Sequence, residues 1–165
     1  MDTLSHGLWA LALFWGTTYR KWAFLIGMIP DLLSFGILFL LRIADHSPLR
    51  GPPLNEPSWL PVAYSITHSL FTWIIIGALL YALKKRYWPI VGAAIAHITL
   101  DIFTHCSYYP TPFLEPFSNY RYCGLSWGTP IIFIMNWVFL VVIFGLIGYY
   151  EWSKRRESIK TSRRS

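Results

Sequence analysis

Four stretches of this chain, residues 22–41, 60–83, 87–106 and 130–150, are each apolar over the roughly 20 residues that a helix needs to cross a hydrocarbon layer. This feature constrains the fold most, because inside a bilayer every backbone N–H and C=O needs a partner within the protein, and helices supply one locally. A composition of 55% hydrophobic, 18% aromatic and only 13% charged residues agrees with a membrane as the solvent. A fifth apolar stretch, residues 4–15, is shorter. Asp2 precedes it without any Lys or Arg, and no small-x-small cleavage pattern follows Trp15, so it reads as a retained helix rather than a signal peptide. The Arg20–Lys21 turn then makes a helical hairpin with a short or partly re-entrant first arm. The expected fold is an all-α, polytopic membrane helix bundle with four full spans plus a short N-terminal membrane helix. It occupies residues 1–150 and is followed by a basic cytoplasmic tail, 151–165.

The formal charge of +6 raises the question of nucleic acid, and its distribution answers it. With Arg20 and Lys21 in the cytoplasm, that side also receives Lys84, Lys85, Arg86, Lys154, Arg155, Arg156, Lys160, Arg163 and Arg164. This accounts for 11 of the 14 basic residues and leaves Arg42, Arg50 and Arg121 outside. Such asymmetry is what retention of positive loops during insertion produces. The C-terminal run is then a topology determinant and a disordered arm on anionic lipid, and no nucleic-acid partner is expected. The chain is read as an integral protein of the cytoplasmic (inner) membrane with its C-terminus inside.

The two outer loops carry the elaboration. Residues 44–61 hold Pro48, Pro52, Pro53, Pro57 and Pro61, which favour a semi-rigid extended cover, and residues 107–129 are rich in Tyr, Pro, Phe and Gly. Cys106 and Cys123 lie at or in the second loop. Two cysteines establish no framework, and the plain reading is a pair of free thiols, although an oxidising compartment permits a bridge.

Ionisable side chains within hydrocarbon cost several kcal/mol unless paired, hydrated or metal-bound, so each one is a functional candidate. Asp31 follows Pro30 in the second stretch, His68 lies in Thr67-His68-Ser69, and His97, Asp101 and His105 recur at i, i+4 on one helical face. His6 adds a sixth such residue near the N-terminus. Counted from the basic turns at ~1.5 Å per residue, Asp31 and His97 stand at roughly 15 Å, His6, Asp101 and His68 at roughly 20–25 Å, and His105 at roughly 28 Å. One polar cavity in the outer half of the membrane would gather them. Imidazole nitrogen with carboxylate oxygen suits a divalent ion, zinc first among them. His6, Asp31, His68, His97 and Asp101 are the expected ligands, with Asp31 and His105 as catalytic candidates. Each has a plainer role open to it: a cap for Asp31, a helix–helix knot for His68, a mutual i, i+4 hydrogen bond for His97 and Asp101. Asn136 is expected as packing glue.

Ser5-His6-Gly7, Gly27-Met28-Ile29-Pro30-Asp31, Thr67-His68-Ser69, His97-Ile98-Thr99-Leu100-Asp101 with Thr104, and Leu114-Glu115-Pro116-Phe117-Ser118 together resemble the YdjM-type membrane-bound metal-dependent hydrolases, a family described as similar to zinc-dependent phospholipase C. The resemblance spans about residues 1–126. It implies hydrolysis of a phosphoester or lipid-like substrate, with a lipid headgroup the natural choice at that depth. The chain departs from the pattern at Leu32-Leu33-Ser34, where a second acidic residue is usual, and at Ala63-Tyr64-Ser65, where His-Arg is usual. The number of metal ions therefore stays open.

The residues thus favour a membrane-embedded metal-dependent hydrolase whose site faces the extracytoplasmic side. Non-enzymatic proton or metal-ion transport is the alternative, weakened because residues 70–83 and 88–96 offer almost no polar path to the other face. Bis-histidine haem leaves the carboxylates unexplained.

Overall fold

The computed structural model describes residues 1–48, 57–106 and 109–162. Arg50, Pro52 and Pro53 of the proline-rich segment, the start of the second loop at Ser107 and Tyr108, and Arg163 and Arg164 of the tail lie outside the described residues.

The described residues form six helices and no strand. We label them α1 (Thr3–Leu13), α2 (Arg20–Ala44), α3 (Trp59–Thr67), α4 (Leu70–Lys84), α5 (Gly92–Thr104) and α6 (Pro130–Ser162). A 3-10 turn, Trp88–Val91, leads into α5.

Two helices, α2 and α6, are long and apolar enough to cross a membrane. The α3–α4 pair makes a third if its 56° bend lies within one span. Two to three candidate spans stand where four were expected, because two of the four stretches are not single long helices. The stretch 60–83 breaks at His68–Ser69, and the stretch 87–106 begins as the 3-10 turn, so that Trp88–Thr104 falls among the shorter apolar helices. The tail differs as well: α6 continues through it to Ser162 where a disordered arm was expected. At 33 residues α6 is about 50 Å long, well beyond a hydrocarbon core.

The helices α1 and α2 form the expected hairpin, and two glycines set its closeness. A Cβ on Gly27 would lie 2.6 Å from Ala10 Cβ and 3.0 Å from the His6 carbonyl, and one on Gly7 would lie 2.8 Å from Met28 Cγ. Along α2 the buried residues are Ala23, Gly27, Pro30, Asp31, Ser34 and Leu38, a stripe at three- and four-residue steps that faces the bundle. Pro30 has no N–H to give, and the helix answers with a π turn over Leu32–Gly36. There the Ser34 hydroxyl donates back to the Pro30 carbonyl at 3.0 Å.

The break between α3 and α4 is repaired in the same way. Ser69 has extended backbone and its hydroxyl accepts from Phe71 N–H, which starts α4. Trp73 Nε1–H donates to the Thr67 carbonyl at 2.8 Å, and Leu70 N–H to the Phe113 carbonyl at 3.1 Å. Backbone groups freed by the bend thus find protein partners, as the absence of water in a bilayer requires.

Below the bend, Trp73, Val91, Ala94 and Ile98 form an apolar core with Ile26, Ile29, Leu70 and Ile95 packed against it. Helix α6 attaches to α1 through Asn136, which accepts from Trp9 Nε1 and donates to Ser5 Oγ, each at 2.8 Å. This is the packing role expected for it. Cys106 and Cys123 are joined by a disulfide, not free, with their Cα atoms 4.5 Å apart.

Candidate metal centre

Two irregularities and one regular helix deliver polar side chains to the same place. The π turn begins one residue after Asp31, the α3–α4 break is at His68, and α5 brings His97 and Asp101 inward one turn apart. All four are buried. One ligand atom from each can be chosen so that the four lie within 4.8 Å of one another.

The separations are specific. His97 Nε2 lies 3.0 Å from Asp101 Oδ2, 3.3 Å from His68 Nε2 and 3.7 Å from Asp31 Oδ1. His68 Nε2 lies 3.4 Å from Asp31 Oδ1 and 3.7 Å from Asp101 Oδ2. Four N and O ligands arranged tetrahedrally at ~2.0–2.1 Å from a zinc ion would stand about 3.3 Å from one another, and the quartet brackets that spacing.

The hydrogen bonds around the two imidazoles decide which nitrogen faces the quartet. His97 Nδ1 is 2.7 Å from the Gly27 carbonyl, which can only accept, so the Nδ1 proton is fixed there. Thr67 Oγ1 donates to the Ala63 carbonyl at 2.8 Å, so at 3.0 Å from His68 Nδ1 it accepts. In the neutral rings both Nε2 atoms therefore present lone pairs to each other and to two carboxylates. A proton on one ring would satisfy one such pair, whereas a cation among them satisfies all four. Asp101 Oδ2 is buried and makes no hydrogen bond, despite its 3.0 Å approach to His97. Atoms that are close but misaligned for hydrogen bonding are what a shared ion requires. The Nδ1–H contacts are the supporting interactions that fix metal-ligating imidazoles in place.

A second layer lies against the quartet. Asp31 Oδ2 accepts from Thr3 Oγ1 at 2.8 Å. The His6 ring stacks on that of His97, with centroids 3.6 Å apart, and its Nε2 stands 2.9 Å from Asp101 Oδ1 while neither of its ring nitrogens is hydrogen-bonded. The Met1 amino nitrogen also reaches Asp101 Oδ1, at 2.8 Å, and His105 Nδ1 is 3.6 Å from that oxygen. All six residues singled out in the sequence thus meet. His68, His97, Asp101 and Asp31 form the tight group, and His6 and His105 flank it through Asp101. Thr3 and the Gly27 carbonyl were not anticipated. A threonine three residues before a histidine carries little signal, and a backbone carbonyl carries none.

The loop after α5 covers the bend. Ser69 Oγ donates to the Glu115 carbonyl, Tyr64 Oη donates to the Tyr109 carbonyl at 3.1 Å, and Arg121 pairs with the Glu115 carboxylate. Burial pushes the Glu115 carboxyl up, but hydrogen bonds from Ser65 and Arg121, with the charge of Arg121, outweigh it and hold the group below its ordinary value. The chain beyond the disulfide lies alongside the end of α5: Gly124, Leu125 and Trp127 N–H donate to the carbonyls of His105, Phe103 and Thr104. A cavity of about 1110 Å³ opens beside the quartet. Asp31 and His105 lie in its walls, together with Phe35, Tyr109 and Trp127.

Apolar helices long enough to span a bilayer, closed around a buried His/Asp quartet that could hold a metal ion, define the class: an integral membrane protein with a candidate metal centre. The chain belongs to the YdjM inner membrane protein family, whose sequence model matches residues 1–162. Neither a curated protein nor a solved structure matches the chain.

Proposed function

We propose that this protein is a membrane-embedded metal-dependent hydrolase acting on a phosphoester, with Asp31, His68, His97 and Asp101 as ligands of one divalent ion, zinc by preference. The single observation that carries this is the approach of two Nε2 atoms to each other and to two carboxylates inside an apolar bundle, an arrangement that is costly without a cation. When bound there, a divalent ion supplies Lewis acidity, polarising a phosphoester oxygen and lowering the pKa of a water.

The residues of the chain do the rest. Asp31 lies in both the quartet and the cavity wall, so it orients the attacking water against the substrate. The water oxygen forms the new bond to phosphorus, the ester P–O bond breaks, and the leaving alcohol takes up a proton. His105 lines the same cavity with its buried Nδ1 unbonded, and it serves as the group that exchanges that proton. His6, stacked on His97, holds Asp101 from behind.

The apolar core of Trp73, Val91, Ala94 and Ile98 beneath the quartet supports this reading over a transport path, which would need polar groups there. In the topology that goes with it, α5 with its 3-10 turn completes a fourth crossing, and the C-terminus is cytoplasmic. The cavity then faces the extracytoplasmic half, as the distribution of Lys and Arg favours.

Metal content of the detergent-purified protein tests the proposal, with His97→Ala and Asp101→Ala purified alongside and size-exclusion profiles as the control for folding. We expect near-stoichiometric metal in the wild type and its loss in both variants, together with chelator-sensitive cleavage of a phosphodiester by the wild type. Equal trace metal in all three well-folded proteins overturns it.

A further inference from the structure

A second cavity, of about 810 Å³, shares no residue with the quartet or its surroundings. Its lining includes Trp15, Arg20 and Lys21 from the α1–α2 turn and the start of α2, and Tyr150, Glu151 and Lys154 from α6. Three cations therefore line it against one carboxylate. Glu151 is engaged, since its carboxylate accepts from Trp15 Nε1 at 3.3 Å, and the Arg20 guanidinium lies over the Trp15 ring, 5.0 Å from its centroid. Lys21 and Lys154 form no ion pair among the described residues. Because α6 stays helical to Ser162, Lys154 is held one turn beyond Tyr150 on the same face of the helix. Two ammonium groups from different helices thus leave an excess of positive charge around one open space, which an anion complements.

The depth of the cavity says which anion. The apolar stretch of α2 starts at Trp22, directly after Lys21, and that of α6 ends at Tyr150, directly before Glu151. Both helices are long and apolar enough to cross a membrane, so the cavity lies where they leave hydrocarbon, at the level of phospholipid headgroups. Trp and Tyr, the aromatic types that settle at this level, both line it. On the hydrocarbon side of these residues Leu13, Trp22 and Leu146 are each more than half exposed, and Leu146 shares a helix face with Tyr150. An acyl chain below the cavity has these side chains to lie against. A soluble anion uses none of them.

We infer that this cavity binds the headgroup of an anionic phospholipid of the adjoining leaflet, with its phosphate held by Lys21 and Lys154. The hydroxyls of Thr18 and Tyr150 line the same space and add neutral donors. The lipid is a bound component and not a substrate, and it joins α6 to the α1–α2 hairpin at the end opposite the quartet. The inference does not depend on the hydrolase reading.

Native mass spectrometry of the delipidated protein in detergent tests it, with phosphatidylglycerol as the anionic probe, phosphatidylcholine as the zwitterionic one and inorganic phosphate as the free anion. Wild type is compared with Lys21→Gln, Lys154→Gln, the two combined, and a control pair, Lys84→Gln with Lys85→Gln, whose lysines do not line the cavity. We expect one phosphatidylglycerol to bind in preference to phosphatidylcholine. Each cavity lysine lost should weaken it about fivefold, the worth of one basic side chain at an anionic surface, and the double change about 25-fold, while the control pair leaves it unaltered. Gly16 also lines the cavity, and a Cβ there meets no atom within 4 Å, so Gly16→Trp fits sterically and takes up room in the cavity. It should abolish the preference with every charge still in place. Lys21 and Lys154 are exposed, so the glutamine variants keep the core intact and decide the matter if Gly16→Trp fails to fold.

Equal binding of the two lipids overturns the inference. An equal loss in the control pair does so too, because the attraction would then be diffuse surface charge. Displacement of phosphatidylglycerol by inorganic phosphate at matching concentration would make this a site for a free anion and would equally remove the lipid.

Discussion

Helices α2 and α6 are both long and apolar, yet they do opposite work. Helix α2 turns a stripe of small and polar residues inward, accepts a proline and a π turn, and places Asp31 in the quartet. Helix α6 runs unbroken for 33 residues with Leu140 as its one buried residue, and it meets the rest of the bundle through Asn136 on Trp9 and Ser5 and through Phe144 and Glu151 on Trp15. The contrast teaches that hydropathy assigns a helix to the membrane, while buried polar side chains, beside an irregularity in α2, mark the part that carries chemistry. Where the backbone is regular and the side chains uniformly apolar, lipid is a sufficient neighbour. Where a carboxylate is buried, partners have to be built around it, beside a π turn for Asp31 and on a regular helix for Asp101.

That contrast can be broken at several points. The largest effect is expected at the quartet. Asp101→Ala should lower metal affinity by more than the roughly 10–100-fold that loss of a supporting contact costs, as read by competition with a chelating dye. Next comes the periphery. Val141 is 70% exposed on α6, and Val141→Lys should make membrane insertion of that helix about 2.5–3.5 kcal/mol less favourable if the position lies near mid-bilayer. Undiminished insertion in a glycosylation-reporter assay would show that α6 is not in hydrocarbon.

Smaller effects sharpen the comparison. Thr67→Val removes the acceptor for His68 Nδ1–H and should weaken metal binding by about 10–100-fold without unfolding the protein. An unchanged affinity would mean that His68 is not held by that contact. Asn136→Leu, which unties α6 from α1, should cost only about 0.6 kcal/mol, in line with polar contacts between membrane helices, and should leave metal content alone. Steric-trap unfolding in bicelles measures it.

The smallest effect is at the loop. The Glu115 carboxyl is held below its ordinary value, so its contribution is complete above the unfolded pKa and is lost as pH falls through the lower folded one. Amide exchange in residues 113–121, compared on the two sides of that acid window, should quicken on acidification. No change would mean that the Arg121 pair does not hold the loop.

The candidate site was legible in the sequence to an unusual degree, and the reason is physical. Hydrocarbon penalises every ionisable group, so few survive in the apolar stretches, and those that do stand out by residue type alone. Their heights could be counted from the basic turns because helices have a fixed rise. Less legible were the interruptions. Thr67-His68-Ser69 was seen as a ligand and its polar neighbours, but not as the point where residues 60–83 bend, because the bend depends on Trp73 and Phe113 being present to satisfy the freed backbone.

By itself, then, the sequence determined that the chain is helical, which stretches avoid water and which side chains must find polar company, since each of these follows from local composition and the cost of burying charge. Only the tertiary structure decided that Asp31, His68, His97 and Asp101 form the inner group while His6 and His105 stand behind Asp101. It alone also showed that Cys106 pairs with Cys123 and that the cavity opens beside α2. Rotation of one helix against another and the direction of a bend are set by contacts between distant residues, such as Gly27 against Ala10, and no local pattern encodes them.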